Sequence, residues 1–146
     1  MLLGAGWLGA MLLFAFAVAP TAFKVLPGAE VAGQVIGPVL RSLHLFGIAA
    51  GVILAVLALA LRRQRWLIVL PILLAAASAY SEFVVTGEMS GVLPHDLGGP
   101  GPVERAARFA ILHRLSMGLF TAVGLGAGAL VIGHVRADRG GSGRWG

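Results

Sequence analysis

Four long runs of apolar residues constrain the fold of this chain more than any other feature. An α-helix needs about 20 residues to cross the hydrocarbon core of a bilayer. In lipid, the polar groups of its backbone must be satisfied within the segment itself. The runs therefore predict four membrane-spanning helices, at about residues 2–23, 39–61, 66–86 and 102–135. We expect an all-α integral membrane four-helix bundle.

The predicted bundle forms one transmembrane domain, residues 1–136, followed by a disordered cytoplasmic tail at 137–146. The first run has an alternative interpretation, because Ala17-Val18-Ala19 is similar to the cleavage site of a signal peptide. However, no basic segment precedes this run, and Pro20 would directly follow the cut. We therefore favour a retained first helix that Pro20 bends or ends.

The composition excludes several classes of protein. The 146 residues are 58% hydrophobic and 12% charged, whereas soluble domains are about 45–50% apolar and about 25% charged. With no cysteine, neither disulfides nor thiolate metal sites can form. The net charge of +5 does not indicate a nucleic-acid partner, because the basic residues lie between the apolar runs and in the tail.

Arginines are concentrated on one side of the predicted membrane. The turn at residues 62–65, which reads RRQR, and the segment after Val135 together hold six arginines and a single acidic residue, Asp138. Basic residues favour the cytoplasmic side of a membrane. We therefore expect the turn and both termini to be cytoplasmic, and the partner of the apolar surface to be the lipid bilayer.

The two connections on the other side are less regular. Residues 24–37 fit either a short interfacial helix or a Gly-rich loop, with Gly37-Pro38 starting helix two. Residues 87–101 are rich in Gly and Pro and are expected to be irregular. Each connection contains a Leu-Pro pair that is followed by a Leu-His pair in the next helix, at His44 and His113. This echo indicates either two parallel-repeat helical hairpins or a chance match.

From Phe109 onward in the fourth run and throughout the other three, the ionisable residues fall in one layer, apart from His134 at the inner end of helix four. Glu82 lies sixteen residues after Trp66, so about 24 Å along the helix at 1.5 Å per residue. That places Glu82 in the outer leaflet, at a depth similar to those of the other polar residues on these helices. The members of this polar layer are Arg41, His44, Ser78, Glu82, His113, Arg114 and Ser116.

Charged groups at such depth need a partner or a purpose. We expect Glu82 to form an ion pair with Arg114 or Arg41, with a proton or cation site and exposure to water as alternatives. Arg41 is expected to snorkel to the headgroups, and Arg114 to offer Glu82 a bidentate partner.

The two histidines of the layer also admit several interpretations. We expect His44 and His113 to make interhelical hydrogen bonds and expect no cofactor. One alternative is bis-histidine ligation of haem b by this pair. Another is a metal site that adds Glu82 to the two histidines.

Glycine spacing indicates close helix packing. Gly47-xxx-Gly51 in helix two and Gly124-xxx-Gly128 in helix four would let helices approach within the bundle, in a homo-oligomer or in a larger membrane complex. Ser90, Ser116 and Thr121 lack the acid–base neighbours of a nucleophile. We therefore expect a non-enzymatic protein, either an accessory or small-solute-handling component or a structural subunit.

Several segments resemble a known family. They are FAVAPTAFKVLPGAEVAGQVIGPVLRSLHLFG, the tyrosine of helix three and RFAILHRLS at the start of helix four. Over about residues 5–135 they resemble the bacterial transmembrane protein 205-like family (domain of unknown function 4149), which consists of small four-helix membrane proteins. The matching positions are Phe14, Phe16, Pro20, Phe23, Ala32, Gly33, Tyr80, Phe109, Leu112, His113 and Ser116.

This resemblance implies an architecture and a location in a bacterial cytoplasmic (inner) membrane, and it assigns little chemistry. One departure follows Tyr80, where the family often has a proline and basic residues and this chain reads VVTGEMSG. Roles that depend on the second outer connection therefore do not carry over.

Overall fold

A computed structural model describes residues 2–92 and 101–142. Within these ranges the chain is helical and has no strand. Four helices there are long and apolar enough to cross a membrane: Leu2–Val25, Val31–Ala60, Arg65–Met89 and Val103–Ala137. The predicted all-α fold with four membrane-spanning helices is confirmed.

The four helices are continuous, although two of them contain a π-helical turn. Helix one consists of Leu2–Leu13, the π-helical Phe14–Val18 and Ala19–Val25, and helix two is Ala29–Ala60. Helix three consists of Arg65–Tyr80, the π-helical Ser81–Thr86 and Gly87–Val92, and helix four is Pro102–Ser142.

Helix one continues past Pro20 instead of ending there. A proline lacks the backbone N–H and its ring crowds the preceding turn. The π-helical segment lies directly before this proline, and the backbone N–H of Ala19 bonds to the carbonyl of Phe14, five residues earlier. The wider π turn provides room for the ring, so the helix reaches Val25.

Helix two begins at Ala29, nine residues before Pro38. Residues 29–37 are therefore its first turns, and they form neither a separate interfacial helix nor a loop. Burial explains the extension, because Ala32 and Ile36 pack with Phe14 of helix one in a small apolar cluster. This contact offsets the hydrogen bond that Pro38 cannot donate inside a helix.

Helices two and three are joined by a tight turn with a defined cap. Arg62 has φ of 49°, its N–H bonds to the carbonyl of Leu59, and the N–H of Arg63 bonds to the carbonyl of Ala58. This pair of bonds is a Schellman motif, in which the residue with positive φ is usually glycine. The turn makes helices two and three an antiparallel hairpin, as the four-residue spacing predicts.

The helices form a closed ring in which each packs on two others: one on two, two on three, three on four, and four on one. The main apolar core includes Trp7, Leu54, Leu67 and Leu130 from the four helices in turn. Gly51 allows helix two to approach the backbone of helix three closely, because a Cβ there would lie 2.7 Å from the Pro71 carbonyl oxygen and 2.8 Å from Ala75 Cβ.

Two expected irregular segments are partly helical. The first residues of the 87–101 connection complete helix three as Gly87–Val92, and residues 93–100 lie outside the described ranges. Helix four extends to Ser142, past the boundary at 137 where we expect a disordered tail, and residues 143–146 are also outside the described ranges.

Candidate functional site

A buried polar cluster lies at the end of the bundle opposite the RRQR turn. Glu82 Oε2 is 3.1 Å from His44 Nδ1, and Glu82 Oε1 is 3.5 Å from Arg41 Nε. These three residues, here called the Glu82 cluster, join helix two to helix three within the membrane-spanning ranges. An ionised carboxylate can only accept, so His44 donates to Glu82 through its Nδ1–H.

Helical periodicity brings these side chains together. His44, Gly47, Gly51 and Leu54 are all buried on one face of helix two, at the spacing of three or four residues that an inward-facing stripe requires. On helix three, Ser78 and Glu82 are one turn apart and both buried. The two stripes face each other across the hairpin, and Gly47 lets the Trp7 ring and the Ser78 hydroxyl approach helix two.

Glu82 lies in the π-helical part of helix three, Ser81–Thr86. Such turns leave the regular hydrogen-bond ladder and occur frequently at functional sites. Here the Thr86 hydroxyl donates to the carbonyl oxygen of Ser81 at 3.0 Å. The irregular turn that carries Glu82 is thus held by a side-chain hydrogen bond of its own.

The two partners of Glu82 differ in their surroundings. The side chains of His44 and Glu82 are each 7% exposed, whereas that of Arg41 is 67% exposed. Exposed ion pairs contribute about 0–1 kcal/mol, while buried hydrogen bonds to charged groups contribute about 1.5–3 kcal/mol. The His44–Glu82 hydrogen bond is therefore the stronger contact, and Arg41 balances the negative charge of Glu82 from the exposed edge of the cluster.

A small cavity adjoins the cluster. It has a volume of about 10 Å³, and its polar lining comes from His44, Ser78 and Ser81. This volume is at the lower limit for one water molecule, about 10–15 Å³. Ser81 is 2% exposed, and its hydroxyl is a buried side-chain group without a hydrogen-bond partner among the described residues.

Helix four contributes less to the cluster than the sequence indicates. Ser116 is buried, but Arg114 is exposed and its Nε donates to the carbonyl of Ala110 at 3.2 Å. Within the part of the chain that the structure describes, Glu82 pairs with Arg41 and His44, and Arg114 does not join them. The reason is the position of Arg114 around the helix axis. Arg114 and Ser116 are two positions apart, so at about 100° per residue their side chains point about 200° apart.

The two histidines occupy different environments. His44 is buried, whereas His113 is exposed on helix four and its ring stacks on Phe109, with centroids 6.1 Å apart and planes at 6°. The two Leu-His pairs of the sequence echo are therefore not equivalent in burial. A haem or metal ion bound by both histidines would require His44 and His113 to reach the same site.

The described residues do not fit a bis-histidine haem in this arrangement. His44 is bonded to Glu82 beside a cavity of about 10 Å³, and His113 is exposed. No group of three or more His, Asp or Glu side chains that could hold a metal occurs in residues 2–92 and 101–142. The haem and metal alternatives stay predictions for solution spectroscopy.

Ser81 is the site residue that sequence reasoning missed. A usable signal exists, because Ser78, Ser81 and Glu82 have the spacing i, i+3, i+4 and therefore share one face of a helix. The same periodicity favours Arg41 over Arg114, since Ser116, Val123 and Ala127 define the buried stripe of helix four.

The comparisons with known proteins give one match. Residues 2–93 match a family model described as Domain of unknown function (DUF4149), and this range contains Arg41, His44, Ser78, Ser81 and Glu82. No curated protein and no solved structure matches the chain. The designation transmembrane protein 205-like stays a prediction.

The match covers more than half of the chain, and the family description names no activity. Four helices of the described residues are long and apolar enough to cross a membrane. The chain is thus a multi-pass membrane protein, and it belongs to the DUF4149 family.

Proposed function

We propose that this protein is a non-enzymatic membrane component that handles a small solute, and that the solute is the proton. The observation that carries this proposal is the buried hydrogen bond of 3.1 Å between His44 Nδ1 and Glu82 Oε2. Ionisable residues within membrane spans mark ion and proton sites more often than ionisable residues elsewhere do.

The charges of the cluster support a site for one proton. With Arg41 positive, Glu82 negative and His44 neutral, the three side chains sum to zero. Uptake of a proton by the His44–Glu82 pair would change the sum to +1, with Arg41 Nε at 3.5 Å from Glu82 Oε1. Of the other ionisable members of the polar layer, Arg114 bonds to its own helix and His113 is exposed.

The small cavity supports a route for that proton. When Nδ1 of neutral His44 carries its hydrogen, Nε2 is an acceptor, and the Ser81 hydroxyl is an unpaired donor. A single water in the cavity of about 10 Å³ could bond to both groups. Proton exchange between His44 and such a water requires no large movement of the helices.

A hydrolytic enzyme is the competing interpretation of the same residues. A serine, a histidine and a carboxylate on histidine Nδ1 are the components of a catalytic triad. However, neither Ser78 nor Ser81 has a hydrogen bond to His44 among the described contacts. A cavity of about 10 Å³ also leaves no space for an acyl substrate, so we favour proton handling.

Infrared difference spectroscopy of the purified protein over a pH titration tests the proposal. We expect one buried carboxyl or imidazole to change protonation, and we expect its band to vanish in Glu82→Gln and to shift in His44→Gln. Glu88→Gln is the matched control, because Glu88 is exposed and bonds to Arg108 at the same end of the bundle. A spectrum without a titrating group that depends on Glu82 would overturn the proposal and leave the cluster a structural contact.

We further propose that both termini and the RRQR turn face the cytoplasm of a bacterium. The excess of arginine at that end of the bundle supports this orientation. The chain has no native cysteine, so single cysteines at Gln64 and Glu88 can be labelled without background. An impermeant maleimide added to intact cells should label the cysteine at 88 and not the one at 64, and the reverse pattern would refute the orientation.

A further inference from the structure

A large basic cleft opens at the end of the bundle that carries the RRQR turn. Its volume is about 970 Å³, and it lies between the turn with the start of helix three and the final turns of helix four. The arginines in its lining are Arg62, Arg63 and Arg136. No carboxylate is part of this lining among the described side chains, so the cleft favours an anionic ligand.

The position of the cleft indicates contact with lipid headgroups. The membrane-spanning range of helix two ends at Ala60, and that of helix three begins at Arg65, so the arginines lie at the boundary of the apolar region. Trp66 lines the cleft, and its indole N–H donates to Gln64 Oε1 at 2.8 Å. Tryptophan is enriched at this level of a bilayer.

An apolar groove along helices one and four shares two lining residues with the cleft. Ala129 and Ile132 line both the cleft and a groove of about 670 Å³. The groove runs along helix four from Ile132 to Ser116, a length of about 24 Å at 1.5 Å per residue. A ligand that uses both parts needs an acidic head and a long apolar chain.

The backbone at Arg62 gives a second reason to assign a role to the basic lining. Arg62 has φ of 49°, and such a conformation costs a residue with a side chain about 1–2 kcal/mol compared with glycine. The capping motif of this turn usually has glycine at that position. The residue in this strained position is an arginine, and it lines the cleft.

From these features we infer that the cleft binds the phosphate headgroup of an anionic glycerophospholipid, with one acyl chain in the adjoining groove. Arg62 and Arg136 contact the phosphate as charge-assisted donors. Ala129 and Ile132 contact the first part of the acyl chain. This site is separate from the Glu82 cluster, which lies at the opposite end of the bundle, and it does not depend on proton handling.

Native mass spectrometry of the intact protein tests this inference. The protein is released from micelles that contain phosphatidylglycerol and phosphatidylethanolamine in equal amounts, and bound lipids are counted. We expect a clear preference for phosphatidylglycerol and a loss of about tenfold in its retention in Arg136→Gln or Arg62→Gln, the effect of one charge-assisted hydrogen bond. Glutamine keeps the Cβ and the turn geometry, and a thermal melt verifies that each variant is folded.

Arg65→Gln is the matched control, because Arg65 belongs to the same turn and is exposed but does not line the cleft. It should retain phosphatidylglycerol as the unmodified protein does. Equal losses in Arg65→Gln and Arg136→Gln would overturn the inference, because they would indicate non-specific attraction to all arginines of the turn. Equal retention of the two lipids would overturn it as well.

Ala129→Phe tests the acyl chain without a change in charge. This substitution adds bulk at a residue that lines both the cleft and the groove, so phosphatidylglycerol retention should fall while binding of inorganic phosphate is unchanged. Unchanged lipid retention in Ala129→Phe would overturn the assignment of the acyl chain to the groove, and binding of inorganic phosphate without retention of either lipid would replace the lipid by a free anion. A dimer without bound lipid would assign the groove to a second copy of the chain.

Discussion

The coupling between His44 and Glu82 is the most direct consequence of the structure that can be measured. We consider a double-mutant cycle in which His44→Ala and Glu82→Ala are made singly and together. Each single change leaves a buried partner without its hydrogen bond, at a cost of about 1–3 kcal/mol. The double change removes both groups, so it should cost less than the sum of the single changes.

The magnitude follows from burial and distance. Both side chains are 7% exposed and their atoms are 3.1 Å apart, so the contact belongs with buried hydrogen bonds to charged groups, about 1.5–3 kcal/mol. Polar contacts between membrane helices couple more weakly, by about 0.6 kcal/mol on average and at most about 1.7 kcal/mol. We therefore expect a coupling of about 1–2 kcal/mol between these two residues.

Two further cycles provide graded controls. Arg41 is 67% exposed and 3.5 Å from Glu82, so its coupling to Glu82 should be about 0–1 kcal/mol. Arg114 is bonded to its own helix, so Arg114→Ala and Glu82→Ala should be additive within about 0.5 kcal/mol. The order of couplings should be His44, then Arg41, then Arg114.

The assay is reversible unfolding in mixed detergent micelles, in which the free energy of unfolding of each variant is measured under identical conditions. Additivity of His44→Ala and Glu82→Ala would refute the hydrogen bond as an energetic contact. A coupling of Arg114 to Glu82 larger than that of His44 would refute the rotation of helix four described above.

Three further predictions concern packing, backbone strain and cofactors. Gly51→Ala should destabilise the bundle by about 1–3 kcal/mol through overpacking, because its Cβ would lie 2.7 Å from the Pro71 carbonyl oxygen. Gly128 has open space around it, so Gly128→Ala should be neutral or stabilise the bundle by up to about 1 kcal/mol. Equal effects of the two substitutions in thermal melts would contradict this packing. Arg62→Gly should relieve the positive φ and raise the melting temperature while it lowers retention of anionic lipid; a lower melting temperature would argue against strain. Purified protein should lack a Soret band, and a band that disappears in His44→Ala would restore the haem alternative.

Much of the architecture can be predicted from the sequence, because hydrophobic runs of membrane length leave the chain few alternatives. Lipid cannot satisfy backbone polar groups, so the four runs must be helices, and a four-residue turn makes helices two and three antiparallel neighbours. The helix ends are harder to predict. Helix two starts at Ala29 because Ala32 and Ile36 find a buried contact with Phe14, which is information about tertiary packing.

The candidate site could be predicted in part. Arg41, His44, Ser78, Glu82 and Ser116 are polar residues in apolar runs, and their sequence positions give their depth along each helix. Depth follows from the rise per residue, which is a local property. The sequence therefore predicts which of these residues lie at the depth of the polar layer, but it does not distinguish the buried ones from exposed ones such as His113 and Arg114.

The partners within the layer depend on how each helix is rotated about its own axis, and only the tertiary structure decides that rotation. His113 and Arg114 have suitable depth but lie on exposed parts of helix four, whereas Ser81 is buried without a hydrogen-bond partner among the described residues. In the bundle, each helix is oriented about its axis so that its stripe of apolar and small residues is buried. These orientations pair Glu82 with His44 and Arg41, and they leave Arg62, Arg63 and Arg136 around one cleft.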